Sequence, residues 1–419
     1  MTLHIVSNPA SGSKSADRLL EGKILPLLSN FPSIIVHRTK ARADGIRCGQ
    51  EIRANVDSQK DPTLGQSNVI ILGGDGTTHE VLNGFYKKEL DSSSSFNPQG
   101  FAGPPQLNLI IVPTGTANAF YAAIFPPGPS DSPAGAEAED QWRLNSLRSF
   151  LSAKGQTESA PSSLKPLTLS LSKTHATRFA HLEDVETGQV STLTHLISSH
   201  ALHAAILYDS DSPELRKEYP GVERFKVAAM KNFNRWVQGS LKINPSSNGS
   251  VRKYDPHSRA FVPLQQDQTV LKGPFIYLAC LSTDRLEPNF IPAPFSSTFS
   301  PTPEENLRRL PEELDLVVIR PLRDPKVAKR LKEVRYEESG GGVDDDEDWN
   351  QDLFKEIRES FSQQSLMKIT AAMYDGGKHV DLQYEAEDGK ELGETMVEYY
   401  RGSGYEWTPT WIARILSGV

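Results

Sequence analysis

Four short apolar runs in the first 125 residues each break off at a turn and give way to a stretch with helical spacing. LHIVSN (3–8) leads into SADRLLEGKILPLL, and SIIVHRT (33–39) into a stretch containing DGIRCGQEIRANV. NVIIL (68–72) leads into THEVLNGFYKKEL, and LNLIIVP (107–113) into NAFYAAIF. Short apolar strands alternating with helices bury both faces in βαβ units around a parallel sheet, so residues 1–125 are expected to form an α/β domain.

The texture then changes. Residues 126–140, PPGPSDSPAGAEAED, have the composition of a linker or surface loop, and QWRLNSLRSFLSA reads as a short helix, so 126–165 is taken as linker plus helix. Beyond it come β-rich segments: PLTLSLS, RFAHLEDVETGQVSTLTHLISS, AAILYD, PFIYLACLS, LDLVVIRP, MKITAAMYD and KHVDLQYEA. They predict an antiparallel β domain over 166–400, interrupted by a helix near 222–241 and a low-complexity acidic loop at 338–350. In the helix, Phe225, Ala228, Ala229, Phe233, Trp236 and Val237 share one face. A chain of 419 residues is long enough for two such domains.

A formal charge of −8 argues against a general affinity for nucleic acid. Two cysteines, Cys48 and Cys280, are too few for a disulfide framework or a four-cysteine zinc site and point to a reducing compartment. The N-terminus lacks the basic start and apolar core of a signal peptide, and no apolar run approaches the ~20 residues that span a bilayer. A cytoplasmic protein without a transmembrane segment is expected; nothing in the sequence indicates its oligomeric state.

Three of the strand ends carry similar chemistry: Ser7-Asn8-Pro9-Ala10-Ser11-Gly12-Ser13-Lys14, Gly73-Gly74-Asp75-Gly76-Thr77, and Pro113-Thr114-Gly115-Thr116-Ala117-Asn118. In an open α/β sheet, ligands bind outside the carboxyl ends of the strands. Small residues, backbone N–H groups and short hydroxyl or amide side chains there suit a phosphate. Each corner alone is also a common turn; their joint position at the ends of one sheet favours the ligand reading. No G-x-x-x-x-G-K-[ST] loop, G-x-G-x-x-G loop or H-E-x-x-H pair occurs. Asp75, a lone carboxylate among glycines, can hold Mg²⁺ or accept a proton from a hydroxyl that attacks a γ-phosphate. Thr77 and Glu80 also have the spacing of a helix capping box.

NPASG, GGDGTTHEVLNG and PTGTANAF, in this order and spacing, resemble the diacylglycerol kinase catalytic superfamily, with the eukaryotic sphingosine (long-chain base) and ceramide kinases as the branch most alike. HEVLNG, GTANAF and ALHAAILYDSDSPELRKEYPGVERFK lean toward that branch. The resemblance implies a Rossmann-like N-terminal domain, as in NAD kinase and diacylglycerol kinase, and an antiparallel β-sandwich C-terminal domain, with nucleotide between them. It implies Asp75 as the base; Asn8, Ser11, Thr39, Gly74, Gly76, Thr77, Glu80, Thr114, Gly115 and Thr116 around the nucleotide; Arg224 reaching the phosphates; and Asp375 in the family's Asp-Gly-Glu turn. Two departures stand out. Where sphingosine kinases hold the amino-alcohol with an Asp after a G-F-x-A segment, this chain reads Ala201-Leu202-His203-Ala204-Ala205, leaving His203 as the nearest polar candidate for the substrate. The Asp-Gly-Glu turn becomes Asp375-Gly376-Gly377.

The resulting expectation is an ATP- and Mg²⁺-dependent kinase that phosphorylates a primary hydroxyl of a lipid at a membrane surface, a sphingoid base first. The alternatives are a diacylglycerol or ceramide kinase, an NAD kinase, and a pseudokinase that binds nucleotide or lipid without transfer. NFIPAPFSSTF (289–299) and the 222–241 helix are the candidates for transient contact with a membrane.

Overall fold

The computed structural model describes residues 2–410 except 59–65, 92–104, 127–135, 156–170, 177–189, 220, 297–306, 308, 311, 340–351 and 386–391. Most of the expected linker, the start of PLTLSLS, RFAHLEDVETGQ, the end of NFIPAPFSSTF and the acidic run Asp344–Asp348 therefore lie outside the described residues. The chain divides into two compact units, 1–196 and 197–419.

Unit 1 is built on β1 (Leu3–Ser7), β2 (Ile34–Arg38), β3 (Gln66–Gly73) and β4 (Gln106–Pro113), all parallel, in the order β2-β1-β3-β4. The strands read as nearly continuous apolar runs because helices cover both faces. Leu3, Ile5, Ile70, Leu72, Ile110 and Val112 point to one side. There they meet α1 (Ala16–Leu19, continued by a π-turn at Leu20–Ile24 and by Leu25–Leu27) together with Leu144, Leu147 and Leu151. Pairwise alternation sends Val6, Val69 and Ile71 to the opposite face. Helices α2 (Asp44–Asp57) and α3 (Asp75–Phe85) pack closely on each other, burying Cys48, Ile52, Val81 and Phe85. Helix α4 (Ala119–Ile124) follows β4, and α5 (Asn145–Ala153) follows Ala136–Arg143. The order reverses between β1 and β3, so the turns leaving those strands open into the crevice where open α/β sheets bind ligands.

The sequence reading began the second domain at 166; the structure groups the hairpin of β5 (Ser172–Ala176) and β6 (Val190–Thr194) with unit 1, where β6 packs on α3.

Unit 2 contains a six-stranded antiparallel sheet ordered β10-β9-β16-β13-β12-β7 and a three-stranded sheet ordered β11-β8-β17. The first uses β7 (Ile197–Ala201), β9 (Arg252–Asp255), β10 (Ala260–Pro263), β12 (Tyr277–Leu281), β13 (Leu314–Ile319) and β16 (Glu398–Gly402). The second uses β8 (Gly239–Asn244), β11 (Val270–Lys272) and β17 (Gly404–Pro409); β14 (Gln383–Glu385) and β15 (Leu392–Thr395) form a separate hairpin. One core joins the two larger sheets: Leu278, Cys280, Leu316, Val318 and Tyr400 from the first meet Leu241, Ile243 and Leu271 from the second. That is a β-sandwich, so the α/β-plus-β architecture is observed.

Three segments differ from the reading above. AAILYD lies in a helix, α6 (Leu202–Ser210), and MKITAAMY forms α8 (Met367–Tyr374), both expected as strands. Short apolar runs do not distinguish a strand from a buried helix, and the alanines of both segments favour the helix. The helix expected over 222–241 is α7 (Glu223–Asn232), which ends nine residues early. Beyond it Val237 and Phe275 exchange both backbone hydrogen bonds and buried Trp236 packs edge-on to Phe361, so tertiary pairing overrides the helical periodicity. Among the described residues no helix is long and apolar enough to cross a membrane.

Candidate active site

The three corners of unit 1 are one interlocked object. The Thr114 amide donates to Gly73 O at 3.0 Å and the Asn8 amide to Leu72 O at 2.9 Å, tying the three turns together at their bases. Above these, the Asn8 side-chain amide donates to Thr77 Oγ1 (2.9 Å), and the Ser11 and Thr114 hydroxyls lie 2.6 Å apart. The glycines belong to the same contact. A Cβ on Gly115 would stand 2.4 Å from Gly74 Cα, and one on Gly12, whose φ is +47°, would stand 2.3 Å from Thr114 O. These residues are small because the turns touch backbone to backbone. Gly76 is different: it is exposed and a Cβ there would meet nothing within 4 Å, so its missing side chain leaves room above the loop.

Asp75 opens α3, and its carboxylate spans to the start of α4. Oδ2 accepts the Ala119 amide at 2.7 Å and Oδ1 the Phe120 amide at 3.0 Å. The α4 N-terminus thus holds the carboxylate with two of its otherwise unpaired N–H groups. Burial raises the Asp75 pKa from its ordinary value, with the Phe120 and Ala119 amides pulling the other way. Asn118, at φ +52° before α4, fixes the third corner by accepting the Gly115 amide (2.9 Å) and donating to Gly115 O (2.8 Å).

The other sequence candidates fall in several places. Thr39 is buried at the end of β2, its amide on Ser7 O at 3.0 Å, and Thr116 lies half-buried in the third corner. Thr114 and Thr77 are buried, their hydroxyls occupied by Ser11 and Asn8. The expected capping box does not form. Gly74 is the N-cap of α3, Thr77 sits within its first turn, and Glu80 accepts the Gly45 amide (3.0 Å) in the first turn of α2. Glu80 therefore caps a neighbouring helix, which explains its burial as well as a ligand would; that burial raises its pKa.

Arg224, His203 and Asp375 belong to unit 2. Arg224, in the first turn of α7, donates to Gly221 O at 2.8 Å and lies over the Phe225 ring at 4.7 Å. His203 occupies the first turn of α6 rather than a strand, with Nδ1 2.8 Å from the Ser199 hydroxyl and its ring 6.2 Å from that of Tyr277. Burial lowers its pKa to about 4. The preceding Ala201 has φ +55° and ψ −130°, a conformation suited to glycine. Asp375 ends α8 and pairs with Lys378 at 2.8 Å on the surface. Gly376 and Gly377, at φ +64° and +79°, form the left-handed turn that commonly closes a helix.

Sequence reasoning placed Asn118 in the third corner without assigning it this role, and did not single out Asn83 or His195. The first had a signal, since Asn is the residue type after Gly that most readily takes positive φ before a helix. The other two meet partners far along the chain, Asn83 on Leu193 110 positions away and His195 on Phe120 75 positions away, and left none.

Among the described residues no group of three or more His, Cys, Asp and Glu side chains is arranged to hold a metal ion. The two amides take two of the four lone-pair sites of Asp75, so its carboxylate still fits a Mg²⁺ that is otherwise held by nucleotide phosphates.

No curated protein matches the chain. Among solved structures it is similar to a diacylglycerol kinase from Bacillus anthracis str. Sterne, 13% identical, covering 96% of this chain and 95% of that one with a TM-score of 0.41. A protein from the same organism, provisionally assigned as a diacylglycerol kinase, is 15% identical over 82% of this chain and 81% of its own, with a TM-score of 0.42. Residues 2–144 match the profile of the diacylglycerol kinase catalytic domain, a stretch that contains all three corners and Asp75. That segment therefore carries a diacylglycerol kinase catalytic domain, and the protein is an enzyme of the lipid-kinase class.

Proposed function

We propose that the protein transfers the γ-phosphate of ATP to a primary hydroxyl of a lipid, with Asp75 accepting the proton of that hydroxyl. The observation that carries this reading is the placement of Asp75: a carboxylate fixed through both oxygens at the junction of three phosphate-sized turns, with open space over Gly76 beside it. In-line phosphoryl transfer asks little of a protein beyond positioning, a proton acceptor and charge neutralisation. A raised pKa makes Asp75 a better acceptor than an exposed aspartate. Mg²⁺, when bound with the nucleotide, would touch the protein through Asp75 and neutralise phosphate charge.

For the lipid, a sphingoid base has the resemblance behind it. An uncharged acceptor, diacylglycerol or ceramide, has a specific observation in its favour. The first turn of α6 offers Ala204, Ala205 and a neutral His203 bonded to Ser199, and the carboxylate of this helix, Asp209, is engaged by Asn232 (2.7 Å) and Lys231 (3.2 Å). An ammonium group gains most from a carboxylate, whereas a neutral imidazole and a hydroxyl suit an ester, amide or alcohol. Leu207 (44% exposed) and Tyr208 (57%) on α6 and Met230 (70%) on α7 support contact with a lipid surface. NAD kinase loses ground to the match over 2–144. The pseudokinase reading loses its one support, because Asp375-Gly376-Gly377 closes a helix and is not a turn that has lost an acid.

Radiolabelled ATP offered with sphingosine, ceramide, diacylglycerol and NAD tests the reading, with Asp75→Asn as control. Label in at least one lipid, abolished by Asp75→Asn, is the expected result. Label in none, or full transfer by Asp75→Asn, refutes it.

A further inference from the structure

Asn83 lies two turns after Asp75 on α3, and its side-chain amide stands in for a peptide unit. Oδ1 accepts the Leu193 amide (2.8 Å) and the Thr192 hydroxyl (2.9 Å); Nδ2 donates to Leu193 O (3.0 Å) and to His79 O of its own helix (2.8 Å). Residues of β6 are thus held on α3 as they would be held by a neighbouring strand. Two positions beyond Leu193, His195 is buried, 2% exposed. Its ring stands edge-on to Phe120, centroids 5.4 Å apart at 84°, and lies 6.4 Å from the ring of His79, one turn after Asp75. Phe120 is one of the two residues whose amides hold the Asp75 carboxylate. Burial, with His79 nearby, lowers the His195 pKa to about 3, so the ring is neutral at neutral pH and its role is contact rather than proton transfer.

We propose that Asn83 and His195 are positioning residues for Asp75. Asn83 fixes 192–195 on α3, and His195 then buttresses Phe120 so that the α4 amides stay aimed at the carboxylate. The catalytic machinery would extend to residue 195, past the 2–144 that match the family profile. This rests on the reading of Asp75 as the base. Displacing a reacting group by about 1 Å costs on the order of 100-fold in rate, so a buttress outside the site acts on the chemical step while leaving ligand binding alone.

The test uses the full chain carrying Asn83→Ala or His195→Phe. Three quantities are measured: kcat with the lipid that the wild-type protein labels best, KM for ATP, and affinity for a fluorescent ATP analogue. Asn83→Ala is expected to lower kcat by about 10- to 100-fold with KM and analogue affinity within twofold, and His195→Phe, which keeps an aromatic edge on Phe120, by less. Unchanged kcat in folded Asn83→Ala, or a fall in kcat matched by an equal loss of analogue affinity, overturns the proposal. Should Asn83→Ala not fold, His195→Phe decides by the same criteria. An active wild-type protein, an inactive Asp75→Asn and a fully active Asn83→Ala would overturn this inference alone. A fully active Asp75→Asn would overturn the function reading and this inference with it.

Discussion

Asp75-Gly76 and Asp375-Gly376 are the same dipeptide at opposite ends of helices. The first opens α3, where backbone N–H groups are unpaired and anions are favoured; the second closes α8, where carbonyls are unpaired and a cation is the natural neighbour. Asp75 is gripped by two amides from the start of the neighbouring α4, and Asp375 sits at the surface beside Lys378. Gly76 keeps space open without any need for left-handed backbone, whereas Gly376 takes φ +64° with nothing near it. The chemical meaning of an Asp-Gly pair therefore depends on which end of a helix it occupies.

Substitution at the two aspartates should split most widely. Asp75→Asn is expected to cut kcat by roughly 10²–10⁴-fold, the range for loss of a general base, while Asp375→Asn changes it by less than about twofold. Phosphate-transfer rates under saturating ATP give both values, and comparable losses would erase the distinction.

A second pair of carboxylates sharpens the contrast electrostatically. Glu398 in unit 2 is buried; burial would raise its pKa, but Arg320 at 2.7 and 2.8 Å, Arg323 and the Tyr400 hydroxyl bring it to about 2. Its folded value lies below its unfolded one, so its stabilisation is complete above about pH 4.5 and disappears as pH falls toward 2. Glu398→Gln should cost roughly 3 kcal/mol at pH 7 and flatten that part of the stability curve, as read by urea unfolding at several pH values. Asp75 moves oppositely: its raised pKa predicts that transfer fails on acidification before an exposed aspartate would protonate.

The glycines should dissociate activity from stability. Gly76→Ala fills open space over the loop and is expected to lower transfer with the melting temperature nearly unchanged. Gly376→Ala forces a side chain into left-handed backbone, costing about 1 kcal/mol with no loss of activity. Reversal of either pattern would break the comparison. The smallest expected effect is a gain: Ala201→Gly relieves the strained start of α6 and should add about 0.5–1 kcal/mol in thermal unfolding.

Unit 1 was legible because its signals are local. A buried parallel strand, a glycine corner and a helix follow within twenty residues, and the hydrophobic period changes visibly between them. In unit 2 the same apolar runs are ambiguous, and α6 and α8 were read as strands because short stretches such as AAILYD fit either period. Glu80 has the spacing to cap its own helix, but the amide it accepts, that of Gly45, lies 35 residues away on another helix. The Asn83–Leu193 clasp joins residues 110 apart, a pairing that no local pattern encodes.

The contact between Ser11 and Thr114 spans 103 positions. In the order of synthesis the first corner must therefore wait for the last strand of the sheet before its own geometry is complete. Any ligand that needs both corners would find no assembled site on a partly made chain and would bind only the finished unit. At 100 times its dissociation constant such a ligand adds about 2.7 kcal/mol to the unit as a whole.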